Sequence, residues 1–173
     1  NYRRHDTEAK AVVAEIEGMG RKGLAVKADV SSYDDAIMDG ASNLNRGRPE
    51  KALADFNRAI KIKPDVAAGY LGRANTLNIM GRYEEAIEDY NTALEITPDL
   101  ANAYINRGSA YSHLGEYEKA IADYEKGLEL DPEIDDKPGF ISRLFSNEPN
   151  TDKGIRRHLE YLKRKVQEKE SKS

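Results

Sequence analysis

Three histidines, His5, His113 and His158, and a carboxylate run at Glu84, Glu85, Glu88 and Asp89 are the side chains with the means for metal or acid–base chemistry. Their spacing argues against both uses. The histidines are scattered with no ligand-type interval between them, so no metal site is expected. The carboxylates repeat as on a solvated helix, whereas an acid–base pair needs burial to shift a proton affinity. The chain has no cysteine, which removes thiol nucleophiles, disulfides and Cys-type zinc sites. No phosphate-cradling loop is present. The expectation is a protein that is not an enzyme and carries no cofactor.

The elements that would position these residues announce themselves by a period. "GRPEKALADFNRAIKIKP" at 47–64 recurs as "GRYEEAIEDYNTALEITP" at 81–98 and "GEYEKAIADYEKGLELDP" at 115–132, each copy 34 residues after the last. Gly40, Ala74 and Gly108 form one column of small residues. Ala52, Ala86 and Ala120 form a second, and Ala59, Ala93 and Gly127 a third. Phe56, Tyr90 and Tyr124 are the aromatic column. Small residues admit close helix approach, and the aromatic fills the space beside them. Gly47, Gly81 and Gly115 suit left-handed turns, while Pro64, Pro98 and Pro132 stop each second helix. Ala86, Ile87, Tyr90, Ala93 and Leu94 follow helical apolar spacing, as do Ala120, Ile121, Tyr124 and Leu128. Each unit reads as two antiparallel helices joined at the glycine.

On these columns the chain resembles the tetratricopeptide repeat family over about residues 33–132. Tyr104, Arg107-Gly108, Tyr111, Ala120, Tyr124 and Pro132 meet its signature, and Tyr70, Arg73-Ala74, Leu77, Ala86, Tyr90 and Pro98 meet it nearly as well. The first unit departs from it, offering Ala36, Asp39-Gly40 and Asn43 where large apolar groups belong. The resemblance implies an all-α superhelical solenoid of three hairpins (33–64, degenerate; 65–98; 99–132). It also implies a non-catalytic interaction scaffold whose leading helices line a concave groove for a peptide or partner helix. By the family pattern the groove is Ala68, Leu71, Gly72, Asn75, Asn78 and Ile79, then Asn102, Ile105, Asn106, Ser109, Ser112 and His113. An asparagine amide both donates and accepts, so Asn106 is expected to clasp a peptide backbone. The family's Lys/Arg clamp for a terminal carboxylate is absent, which disfavours chaperone-tail partners.

Outside the period, residues 133–150 read as a linker with a short amphipathic turn at Phe140, Ile141, Leu144 and Phe145. Residues 151–173 read as a basic helix with Ile155, Leu159, Leu162 and Val166 on one face, expected to cap the array. Its cations, Arg156, Arg157, Lys163, Arg164 and Lys165, are diluted by Glu160 and Glu168. No aromatics interleave with them, so neither nucleic acid nor a membrane is the expected partner. Residues 1–32 resemble a fragment of a short-chain dehydrogenase/reductase, a helix and then a buried strand "LAVKADV". Arg3 and Arg4 stand where that family meets the extra phosphate of NADP, and Asp29 and Val30 where it meets adenine. The family's glycine-rich turn lies upstream of this stretch. Tyr161 and Lys165 have its Tyr-x-x-x-Lys spacing, but within a charged terminal helix where chance accounts for it. A vestigial NADP-binding remnant or fusion is the alternative reading, and self-association through the poorly closed first unit is a third. No apolar run approaches a membrane span and no signal peptide is visible, so a cytoplasmic location is expected. Residues 65–132 carry thirteen Asp/Glu against five Lys/Arg, and residues 151–173 eight Lys/Arg against four Asp/Glu.

Overall fold

A computed structural model of the chain describes residues 32–134 and 154–171. Seven helices account for nearly all of them: α1 (32–45), α2 (Pro49–Ile62), α3 (Ala67–Ile79), α4 (Tyr83–Ile96), α5 (Ala101–His113), α6 (Tyr117–Leu130) and α7 (Gly154–Glu170). There is no strand among the described residues. The strand expected at 24–30, and with it Arg3, Arg4, Asp29 and Val30, lies outside them, as does the amphipathic turn at 140–145.

The hairpin turns are built by one repeated device. Gly47, Gly81 and Gly115 have φ of 67°, 76° and 75°, a left-handed conformation that costs glycine little. The residue after each glycine donates its N–H back across the turn: Arg48 to Asn43, Arg82 to Leu77 and Glu116 to Tyr111, each at 2.9 Å. That closing bond satisfies a carbonyl the ending helix would otherwise leave open. Pro49, which stands where the other copies have tyrosine, takes the first helical position of α2, where a missing N–H costs nothing.

The hairpins α1–α2, α3–α4 and α5–α6 stack in chain order, so each trailing helix also packs on the next leading helix. The core runs through the seams. Tyr33, Ala36 and Ala59 form the first cluster. Ala74, Leu77, Ala86, Tyr90, Leu94 and Ala103 form the second. Ile105, Ala120, Tyr124 and Ile134 join Ile155 and Leu162 of α7 in the third. Tyr90 and Tyr124 are fully buried, and each buried side chain of this size contributes roughly 1.5–3 kcal/mol. The smallest residues of the columns are set by these rings. A Cβ on Gly40 would stand 2.8 Å from Phe56, and one on Gly72 would overlap the same ring from the other side. Phe56 therefore needs a glycine on both α1 and α3.

A polar seam repeats with the same period. Arg73 donates from Nε and Nη2 to Asp89 at 2.6 and 2.7 Å, and from Nη1 to Asn57 of the preceding hairpin at 2.6 Å. Arg107 does the same with Asp123 at 2.8 and 2.7 Å and with Asn91 at 2.6 Å. Each guanidinium thus ties three helices together, and the two carboxylates are only 6% exposed. Paired hydrogen bonds to Asp89 and Asp123 raise both arginine pKa values further. At the far end of the array Glu125, the next residue of the Asn57–Asn91 column, pairs with Lys163 of α7 at 2.6 Å. α7 thereby takes the place of a fourth leading helix.

Candidate functional site

The exposure pattern of α3 sets out the candidate site. Ala67, Ala74, Thr76 and Leu77 are buried, whereas Ala68 is exposed and Leu71, Gly72, Asn75 and Asn78 are partly so. Ile79 is 59% exposed. The open residues fall at helical intervals, so they form one stripe along the helix; Tyr70 and Arg73, also partly exposed, lie off it. Met38 of α1, in the Gly72 column one hairpin earlier, is 62% exposed.

α5 behaves differently at the same columns. Asn102 is exposed, but Ile105, Asn106, Ser109 and Ser112 are 0%, 3%, 1% and 8% exposed. Four residues expected to line the groove are therefore buried. Two physical causes are visible. Ile105 sinks against Gly127, where an added Cβ would meet Ile105 Cγ1 at 2.7 Å, and it joins the cluster that holds α7. Ser112 Oγ lies 3.0 Å from His158 Nε2, so α7 reaches this face as well. His158 also meets the Tyr124 ring edge-on at 5.7 Å. Nothing in the 34-residue pattern signals this covering, because α7 falls outside the period.

Asn106 is spent inside the seam. Its Nδ2 donates to Asn75 Oδ1 at 2.7 Å, and the Tyr90 hydroxyl donates to the same oxygen at 2.7 Å. The expected backbone clasp at Asn106 is thus a link between leading helices, and Asn75 is the partly exposed member of the three. Asn78 Oδ1, Asn106 Oδ1 and Ser109 Oγ are buried with no hydrogen-bond partner among the described residues. His113, half-buried at the end of α5, stacks on Tyr83 with ring centroids 4.6 Å apart and planes at 7°. Among the described residues no three His, Cys, Asp or Glu side chains gather as a metal would require. No described helix is long and apolar enough to cross a membrane.

Comparison with known proteins places this geometry. Two family models, each described as a tetratricopeptide repeat, match residues 65–133 and 41–66. A search of curated proteins finds no match. Among solved structures, the tetratricopeptide domain of Arabidopsis OM64 is similar with a TM-score of 0.64 at 21% identity, covering 79% of this chain and 98% of that one. The TPR2B domain of yeast Sti1, in a pHsp70 complex, has a TM-score of 0.61 at 24% identity, with 80% and 98% covered. The second such domain of human RPAP3, in complex with the HSP70 peptide SGPTIEEVD, has 0.58 at 24%, with 68% and 96% covered. At these identities the likeness is one of fold, and it agrees with the paired helices, left-handed turn glycines and 34-residue seam described above. With both family models falling on the stacked hairpins, this chain belongs to the tetratricopeptide repeat family.

Proposed function

We propose that the chain is a non-catalytic interaction scaffold that holds an extended peptide or a partner helix against its leading helices. The contact residues are Leu71, Asn75, Asn78 and Ile79 of α3 and Asn102 and His113 of α5. The single observation that carries this reading is the open stripe on α3, with Ile79 left 59% exposed at one end of the helix. An isolated exposed isoleucine is ordinary, but one aligned with two asparagine amides offers both apolar contact and backbone hydrogen bonding. The domains of similar fold in a pHsp70 complex, from yeast, and in complex with an HSP70 peptide, from human, support it.

The test starts from heptapeptides selected by display on the wild-type protein. Ile79→Ser/Asn102→Ala changes two exposed side chains and leaves the core alone. Selected peptides are expected to bind this variant roughly tenfold more weakly by fluorescence anisotropy, the effect of losing one central contact. Glu84→Gln, on the trailing helix α4, should leave binding unchanged. Equal binding to wild type and the double variant would remove the groove from the account.

A further inference from the structure

The charge around the open stripe carries information about what it binds. None of Ala68, Leu71, Gly72, Asn75, Asn78, Ile79 and Asn102 is charged. The two cations of these helices, Arg73 and Arg107, are each held by two hydrogen bonds to a buried aspartate and a third to an asparagine. Their side chains are 27% and 18% exposed. Turning either toward a ligand would strand a buried carboxylate, which is costly. Among the described residues, α3 and α5 therefore have no uncommitted lysine or arginine to give.

Carboxylates, by contrast, stand along one edge of it. Asp65 and Asp99, 34 residues apart, are exposed and stand two residues ahead of α3 and α5. They flank Ala68 and Asn102, the first open residues of the two leading helices. Asp34 occupies the corresponding end of α1 and is exposed as well. It acts together with Asp65 on Tyr33, whose pKa is raised first by burial and then by these two charges. Lys63, at that end of the row, lies over the Tyr33 ring at 4.7 Å. A carboxylate ahead of a helix also interacts favourably with the helix dipole, and that local role accounts for Asp65 and Asp99 singly. It does not account for α3 and α5 carrying no lysine or arginine besides the two held by aspartates, nor for the net charge of −8 over residues 65–132.

Resting on the groove reading above, we infer that the partner is a cationic extended peptide, with Lys or Arg beside an apolar residue and no acidic tail. The apolar side chain meets Ile79 and Leu71, the backbone meets Asn75 and Asn102, and the basic side chains face the Asp34–Asp65–Asp99 edge. Exposed ion pairs of this kind are individually weak. A row of them at low ionic strength acts together and decides between peptides of opposite sign.

The experiment uses the full chain and two labelled probes, SGPTIEEVD and the charge-inverted SGPTIKKVK-amide, read by fluorescence anisotropy at low and high salt. The inverted probe is expected to bind at least ~10-fold more tightly at ~20 mM salt, with the gap narrowing at ~0.5 M as the Debye length shrinks. Ala68→Lys/Asn102→Arg should reverse the preference, and Asp65→Asn/Asp99→Asn should reduce it. Tighter binding of the acidic probe, or equal binding of both, overturns the charge assignment and leaves the groove standing. Capture of neither probe overturns it too. If display-selected peptides then remained insensitive to Ile79→Ser/Asn102→Ala, the groove itself would fall.

Discussion

At the scale of single residues, the buried tyrosines and the small-residue columns carry the testable chemistry. Burial holds the Tyr90 phenol well above its ordinary pKa of 10.0. The folded protein therefore keeps a proton that the unfolded chain releases near pH 10, so stability is level below about pH 10 and falls above it. Tyr90→Phe should flatten that alkaline loss in urea titrations taken from pH 8 to 11, without abolishing it, because Tyr33 is raised as well. At neutral pH the same variant should cost about 1 kcal/mol, the worth of the hydroxyl bond to Asn75. Gly127 offers a test with a change of sign. Its column holds alanine at 59 and 93, yet here a Cβ would press on Ile105. Overpacking of about 2 kcal/mol against a helix-propensity gain of about 1 should leave Gly127→Ala destabilised by roughly 1 kcal/mol. In an Ile105→Ala background that overlap is gone and only the 3.2 Å approach to the Ala101 carbonyl oxygen remains, so the helix-propensity gain should prevail and raise the urea midpoint.

At the scale of helices, the seams differ in strength and the difference can be measured. Arg107 joins α4, α5 and α6 through a carboxylate that is almost fully buried. Arg107→Ala would leave Asp123 without its charge partner, and a loss of about 3 kcal/mol in urea-derived stability is expected. The Lys163–Glu125 pair joins α6 to α7 with side chains 48% and 52% exposed. Its removal by Glu125→Gln should cost under about 0.5 kcal/mol after solvent screening. α7 is thus held chiefly by Ile155 and Leu162, both fully buried, with the ion pair contributing register more than strength. The hairpins were legible in the sequence because turn glycine, aromatic and proline recur at a fixed interval. The arginine seam recurs at the same interval, as Arg73/Asp89/Asn57 and Arg107/Asp123/Asn91. It went unread because a charged residue on a helix looks the same whether solvated or paired.

At the scale of the whole molecule, stacked hairpins make a surface large for its mass, and the distribution of charge over that surface becomes the discriminating feature. The acidic repeats are expected to repel the acidic peptides carried by domains of similar fold and to attract basic ones, as the two-probe titration would measure. The sequence by itself determined the repeat period, the paired helices, the turn positions and the family, since all of these depend on local backbone preference and on residues 34 apart. It also named Leu71, Asn75, Asn78 and Ile79 of α3, which the fold leaves partly or fully exposed. What only the tertiary structure decided is how far that groove extends. Ile105, Asn106, Ser109 and Ser112 sit at groove columns, yet all four are buried: Ile105 lies against Gly127, Asn106 is bonded to Asn75, and Ser112 meets His158 of α7. At Ser112 the closure comes from α7, a segment outside the period, and spacing along the chain carries no record of such contact.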